Sequence, residues 1–358
     1  MMNFDFPGII LNDRILSLED LPDHAKSQLE LELPAWERGI YQFMLDFIDE
    51  TDYIVQQSSG TTGTPKTFRI SKLSMVESAR LTAKKLGLKF GDKALLCLPV
   101  EYIAGKMMVV RAFVSGLNLI WEEPSSMPVL TKHGMINFCS MVPLQVYNSF
   151  SNYEFFKNIE NLIIGGAELR NELLAMFRDV SNNTFESYGM AETCSHIALR
   201  KISGPTPDKY FETLPGISVE TDERGCLVIH APYLTETIVT NDLVECIDNK
   251  HFMWKGRYDN LINSGGIKIK PEELEASIAK VLDIECAIIG VPDEKLGQKV
   301  VMVAESESNL DEKEIQGLLK EALPPYHIPG KIVTVNELPR NNSFKIDRKR
   351  LLDMLLNK

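Results

Sequence analysis

The feature that most constrains this chain is an alternation of short apolar runs with stretches of helical character about a dozen residues long. Residues 94–100, 117–121 and 161–164 read as strands, and 103–114 and 168–180 read as helices. Short buried strands alternating with helices specify an α/β fold whose sheet has a large parallel component. Tyr53, Ile54, Val55, Gln56 and Gln57 form one more β-rich run, cut short by Ser58-Ser59-Gly60. Ser71 is placed to cap a helix reaching Leu86, and Gly87 to stop it. A serine oxygen satisfies an orphan N–H at a helix start, and glycine accepts the left-handed conformation that ends one. The character changes near Arg257. Residues 263–270 are turn-rich and basic, and Pro271-Glu272-Glu273 opens a helix at the one position where a missing N–H costs little. Strands over 286–291, 299–304 and 331–335 follow, with helices over 311–323 and from 347 onward. The expected organisation is a large N-terminal domain, 1–258, of mixed and parallel sheet with flanking helices, and a small α+β domain, 259–358. A length of 358 residues suits two cores, since domains run to roughly 100–200 residues.

Composition narrows the function classes. Fifty acidic against 38 basic residues give a formal net charge of -12, which repels nucleic-acid phosphates and anionic lipid, so neither is an expected partner. No apolar run approaches the roughly 20 residues of a membrane span, and the N-terminus has no basic and apolar leader pattern. Cys97, Cys139, Cys194, Cys226, Cys246 and Cys286 include no C-x-x-C pair and lie in apolar stretches, as small buried thiols of a reducing compartment do. A cytoplasmic location is the expectation.

Four clusters carry chemistry. Ser58, Ser59, Gly60, Thr61, Thr62, Gly63, Thr64, Pro65 and Lys66 put two glycines, five hydroxyls and a lysine into nine residues after a strand. Glycines let backbone N–H groups converge on an anion, hydroxyls add hydrogen bonds and the lysine adds fixed charge. Counted from Gly60, Pro65 stands where the P-loop of an NTPase needs its second glycine, which disfavours that class. The second cluster is Tyr188-Gly189-Met190-Ala191-Glu192-Thr193-Cys194, in which Glu192 is a hard-oxygen donor suited to Mg2+. In the third, Asp242 precedes Arg257 by fifteen residues. A carboxylate can accept both hydroxyls of a ribose, and an arginine can add a charge-assisted bond to sugar or phosphate oxygen. The fourth is Lys345, in the polar turn Leu338-Pro339-Arg340-Asn341-Asn342-Ser343-Phe344-Lys345. Taken singly, Glu192 reads as a solvated acid, Asp242 and Arg257 as a surface ion pair, and Lys345 as a solvated lysine.

The order and spacing of the four clusters resemble the adenylate-forming acyl-CoA synthetase superfamily, from about Tyr53 to the C-terminus. That resemblance implies an ATP-dependent acid–thiol ligase forming an acyl-AMP, with Mg2+ as cofactor, CoA as cosubstrate and a mobile C-terminal domain. It makes residues 58–66 the phosphate loop, with Lys66 catalytic. It places Gly166, Ala167, Glu168, Tyr188, Gly189 and Met190 around AMP, and gives the ribose to Asp242 and Arg257. Glu192 would hold the metal and Lys345 would serve adenylation. Asp259 would be the hinge, with Gly265, Gly266 and Lys268 along the pantetheine path. The chain departs from the family where Ala191 replaces a threonine, Asn241 and Phe344 replace glycines, and Tyr102 stands where many relatives carry histidine. Only 57 residues precede the loop, where relatives have well over a hundred.

Within the superfamily the chain is most similar to the o-succinylbenzoate–CoA ligases of menaquinone biosynthesis, through residues 98–111, Gly165-Gly166-Ala167-Glu168 and 188–200. Such a substrate carries a second carboxylate needing a cation or donors, for which Ser195, His196 and Arg200 are candidates, with Tyr102 on the acyl side; a packed or solvent-facing pair is the plain reading of His196 and Arg200. Arg111 lies in an apolar helix, where a charge is costly unless paired, so it either snorkels or serves a site. Another aryl- or acyl-CoA ligase, a carrier-protein-loading enzyme and a non-catalytic binding module of the same fold are the alternatives. A homodimer is left open.

Overall fold

The computed structural model describes residues 8–357 apart from 58–66, 130, 151–152, 168, 170, 181, 283, 309 and 341–345. Thirteen strands form one mixed sheet. One half is parallel: Gly8–Leu11, Asn118–Trp121, Lys93–Leu96, Ile136–Met141, Ile159–Ile164 and Asn183–Gly189 lie side by side in that order. Arg14–Ser17 folds back on the outer edge. The other half is antiparallel and runs through His196–Lys201, Phe211–Thr213, His251–Arg257, Ile238–Cys246, Cys226–His230 and Ser218–Thr221.

Strand periodicity sends alternate residues to opposite faces. Ala94 and Leu96 join the core beneath the helices Ala35–Ile48, Lys72–Leu86 and Ile103–Ser115, while Leu95 and Cys97 join a second core with Phe156 and Phe177. Both faces of the parallel half are therefore covered, which is why its strands read as unbroken apolar runs. The helix after Ser71 starts and stops as its end residues dictate: Ser71 Oγ accepts from the Ser74 N–H at 3.4 Å, and Gly87 sits at φ +66°. Such an N-cap stabilises a helix by about 1 kcal/mol.

A second sheet orders Ile267–Ile269, Ile262–Ser264, Gly297–Glu305 and Cys286–Asp293, with Lys331–Val335 parallel to Gly297–Glu305. The helices Pro271–Ile278, Glu312–Ala322 and Arg348–Leu356 accompany it. The last strand of the first sheet ends at Arg257 and the first of the second begins at Ile262, joined through the turn Tyr258–Asn260. Residues 263–270, read as turn-rich, form a tight hairpin whose turn is Gly265-Gly266.

Two elements differ from the sequence expectation. The helix expected over 168–180 is only Asn171–Met176; beyond it Arg178 and Val180 make i to i−3 bonds to Ala175 and Phe177, tightening the chain out of α geometry. The hairpin Gly8–Leu11/Arg14–Ser17 was not anticipated. Its signal was Asn12-Asp13 between two four-residue apolar-rich runs. Both residues take positive φ, 47° and 67°, as a two-residue hairpin turn requires.

Candidate active site

Asn183–Gly189 is the seam of the large sheet, parallel to Ile159–Ile164 on one side and antiparallel to His196–Lys201 on the other. Ligands of open α/β sheets bind beyond the carboxyl ends of parallel strands, and the expected nucleotide residues gather at two such ends. Gly166 and Ala167 follow Ile159–Ile164, and Tyr188, Gly189 and Met190 end the neighbouring strand. The two ends touch: Ser187 Oγ donates to the Ile164 carbonyl at 3.3 Å, and a Cβ on Gly165 would lie 2.2 Å from that Oγ.

At Gly189 a Cβ would fall 2.4 Å from His196 Cα, so glycine alone lets the returning strand approach. Between them the chain makes the tight turn Ala191–Thr193, and Cys194 adopts φ +65°, a conformation uncommon outside glycine. Thr193 Oγ1 accepts from the Met190 N–H at 3.1 Å and donates to the Ser195 carbonyl at 2.7 Å, holding the turn. Glu192 projects from it, exposed and without a partner among the described residues. Among those residues no three His, Cys, Asp or Glu side chains form a cation cage. A single free carboxylate fits Mg2+, which takes one or two protein carboxylates and completes its shell with water and phosphate oxygen.

Asp242 and Arg257 are register partners on neighbouring antiparallel strands, so the fifteen-residue spacing is that of a hairpin. Asp242 is buried, and three donors meet it: Tyr188 Oη at 2.6 Å, Trp254 Nε1 at 3.2 Å and Arg257 Nη1 at 3.4 Å. Burial, then the Asp242 charge, pushes the Tyr188 phenol well above its ordinary range, so it stays a donor. Burial pulls Arg257 down, but Asp242 and Asp259 outweigh it and raise the guanidinium. Arg257 Nη2 reaches Asp259 at 2.9 Å, and Asn241 Nδ2 donates to both Asp259 oxygens at 3.2 and 3.3 Å. Arg224 Nη1 in turn donates to Asn241 Oδ1 at 2.8 Å. The asparagine that departs from the family pattern thus ties the strand of Asp242 to the acid expected at the hinge. Sequence reading gave no role to Arg224 or Trp254.

The helix Ile103–Ser115 joins two further parts. Near its start Lys106 Nζ donates to Gln56 Oε1 at 2.7 Å, and Gln56 Nε2 donates to the Glu101 carbonyl at 3.1 Å. Gln56 is buried two residues before the Ser58 loop, so these bonds anchor the loop's base. Burial lowers Lys106. Further along the same helix, Arg111 is 2% exposed. Its Nη2 donates to Ser195 Oγ at 2.6 Å and lies 3.4 Å from His196 Nδ1, and its Nη1 is 3.9 Å from Met108 Sδ. Its Nε is buried without an acceptor, and no carboxylate reaches it among the described residues. Burial pulls the guanidinium down to about 9, which leaves it charged at neutral pH. The same burial, with the Arg111 charge, drives His196 well below its ordinary value and keeps it neutral.

The structure therefore brings Ser195 and His196 together with Arg111. Arg200 lies elsewhere on that strand, ion-paired with its register partner Glu186 and 5.1 Å above the Phe211 ring. Tyr102 precedes the Arg111 helix and is 47% exposed. Gly265 and Gly266 form their hairpin turn, with Lys268 exposed on the strand after it. Residues 58–66, Glu168, Phe344 and Lys345 lie outside the described residues. Among the described residues no helix is long and apolar enough to cross a membrane.

Comparison with known proteins gives the family. A family model described as AMP-binding enzyme matches residues 11–223, and one described as AMP-binding enzyme C-terminal domain matches residues 273–345. The chain is 27% identical over 326 residues to a 2-succinylbenzoate–CoA ligase of Listeria monocytogenes, covering 83% of this chain and 69% of that one. A 2-succinylbenzoate–CoA ligase of Oceanobacillus iheyensis is 25% identical over 354 residues, 90% of this chain and 74% of its own. Among solved structures, an acyl-CoA synthetase (AMP-forming)/AMP-acid ligase II-like protein from Dyadobacter fermentans is 34% identical with a TM-score of 0.61, covering 93% of this chain and 97% of its own. The o-succinylbenzoate CoA synthetase MenE of Bacillus subtilis, in complex with its acyl-adenylate intermediate, shares the fold at 18% identity and a TM-score of 0.76, over 96% of this chain and 94% of its own.

Proposed function

The chain belongs to the AMP-binding enzyme family, and on that premise we propose that it joins o-succinylbenzoate to CoA through an acyl-AMP, releasing AMP and diphosphate. The observation that carries the choice of acid is Arg111, a buried guanidinium that meets only neutral groups among the described residues: Ser195, His196, the Met108 thioether and the Phe138 ring. An isolated buried charge is costly and is retained where it meets a counter-ion. A fatty acid brings none. A substrate with a second carboxylate does.

In the first half-reaction a carboxylate oxygen of the acid attacks the α-phosphorus of ATP, a P–O bond forms, and the bond to pyrophosphate breaks. Both reactants are anions, so the site must neutralise charge as they approach. Lys66, with Ser58, Ser59, Gly60, Thr61, Thr62, Gly63 and Thr64, holds the departing phosphates, and Lys345 stabilises charge at the α-phosphate. Tyr188, Gly189, Met190, Gly166, Ala167 and Glu168 line the AMP side. Asp242 has three donors already fixing its orientation and keeps a lone pair, of the roughly four a carboxylate offers, for the ribose. Mg2+ bound at Glu192 would neutralise the triphosphate. In the second half-reaction the CoA thiolate attacks the acyl carbon, a C–S bond forms, and the C–O bond to AMP breaks. The domain 259–358 turns about Asp259 between the two, bringing Gly265, Gly266 and Lys268 to the thiol's path.

A panel of carboxylic acids, assayed for pyrophosphate release with and without CoA, tests the reading. Saturable release with o-succinylbenzoate, and acyl-CoA only when CoA is present, is the expected result. Turnover of a plain fatty acid with none of o-succinylbenzoate would overturn the substrate and leave the ligase class standing.

A further inference from the structure

The Arg111 cluster has an outer member that lies on another helix. His196 Nε2 is 3.0 Å from Thr82 Oγ1, and Thr82 Oγ1 is 3.1 Å from the Ser78 carbonyl, one turn earlier in the helix Lys72–Leu86. Thr82 and Ser78 are fully buried and His196 nearly so, so water does not take the place of these partners. A hydroxyl has one proton, and a carbonyl can only accept. With its proton on the Ser78 carbonyl, Thr82 accepts from His196, and the imidazole proton lies on Nε2. The Nδ1 lone pair is then turned toward Arg111 Nη2 at 3.4 Å. One Nη2 proton goes to Ser195 Oγ and the other to His196 Nδ1. Of the remaining guanidinium, Nη1 lies 3.9 Å from Met108 Sδ and Nε is buried without an acceptor.

The geometry points to Thr82 and His196 as positioning residues: the Ser78–Thr82–His196 chain sets the histidine tautomer that accepts from Arg111, and so orients the guanidinium, with its unsatisfied Nε, for the substrate's second carboxylate. The opposite tautomer would set an N–H against Arg111 Nη2 and turn it to Ser195 Oγ, also 3.4 Å from Nδ1, in competition with the arginine for that hydroxyl. Protonated histidine would put two cations in contact. Either would displace Arg111 without touching the adenylation machinery. This inference rests on the dicarboxylate reading above. It adds that specificity for the second carboxylate is set partly by a threonine that touches neither substrate nor arginine.

The test uses the full-length enzyme and two acids, o-succinylbenzoate and 4-oxo-4-phenylbutanoate, the same keto acid without the ring carboxylate. For Thr82→Val the ratio of kcat/KM values, diacid over monoacid, should fall about tenfold through the KM of the diacid, the size expected for one charge-assisted hydrogen bond misaligned. Thr82→Ser, which restores the acceptor, should recover most of the ratio. A loss of packing alone would lower both acids together and leave the ratio unchanged, which would overturn the proposal. If Thr82→Val does not fold, 15N NMR of the wild-type imidazole decides: Nε2–H with an unprotonated Nδ1 supports the chain, and Nδ1–H or imidazolium refutes it. Wild-type enzyme that prefers the monoacid would sink the dicarboxylate reading itself. Wild-type preference for the diacid with an unchanged ratio in Thr82→Val would sink only the role of Thr82.

Discussion

Two arginines, one in each sheet's territory, occupy opposite circumstances. Arg348 opens the last helix and meets Glu275 through two bonds of 2.7 Å, with Glu272 at 3.6 Å and the Ile288 carbonyl at 2.9 Å. Arg111 is buried more deeply and meets a serine, a histidine and a thioether. In the first, the guanidinium charge is met within the fold by two carboxylates. The second is open, and the fold alone gives it no counter-ion among the described residues. A buried ion pair is weak evidence of net stabilisation, but breaking one is costly because a charge is left behind. A buried cation that already lacks its anion has the reverse signature: its removal should cost the fold little and the function much.

Methionine at each position tests that contrast, since it keeps length and removes charge. Arg348→Met strands Glu275 and should destabilise the protein by about 3–5 kcal/mol in urea unfolding, with the ratio of diacid to monoacid turnover unchanged. An effect below about 1 kcal/mol would mean that Glu275 is solvated after all. Lys345→Ala comes next. Losing one preorganised donor costs roughly 10²–10³ in rate, and that loss should fall on acyl-AMP formation. Thioester formation from preformed acyl-AMP should be largely spared, and equal losses in both steps would remove the lysine from its assigned role. Arg111→Met should leave urea stability unchanged or raised, while kcat/KM for the diacid falls by about 2 kcal/mol, roughly thirtyfold. Clear destabilisation with preserved diacid preference would make Arg111 a structural residue like Arg348.

The contrast also marks what could be read from sequence. A charge inside an apolar helix signals a cost, so Arg111 stood out from its own neighbours. Its partners did not, because Ser195 and His196 are more than eighty positions away and meet it only through the packing of the Ile103–Ser115 helix on the sheet. Asp242 and Arg257 were legible as a pair because their spacing is local to one hairpin. Arg200 was legible as a charge near the motif, but whether it faces a substrate or Glu186 is a matter of strand register, which no local pattern states. The parallel half of the sheet was visible in its apolar runs. The antiparallel half, with shorter and more mixed strands, emerged only in three dimensions.

A third buried cation sets the lower end of the comparison. Lys72 is 1% exposed, and its Nζ meets Asp49 Oδ1 at 2.6 Å, but Asp49 itself stands half in solvent. The bond from Lys72, with further bonds from Thr51, lowers the Asp49 carboxyl to about 2. Its unfolded value is about 3.9. The folded value is the lower one, so the pair's stabilisation is fully present above pH 4 and is lost as pH falls through about 2. Solvent screening of the exposed acid limits its size to at most about 1 kcal/mol. Asp49→Asn should therefore be slightly less stable than wild type at pH 7, and the gap between their urea midpoints should narrow steadily below pH 4. A gap of several kcal/mol would class Lys72 with Arg348, as a cation whose partner is indispensable. A gap independent of pH would show that Asp49 acts through its bonds to Thr51 and not through its charge.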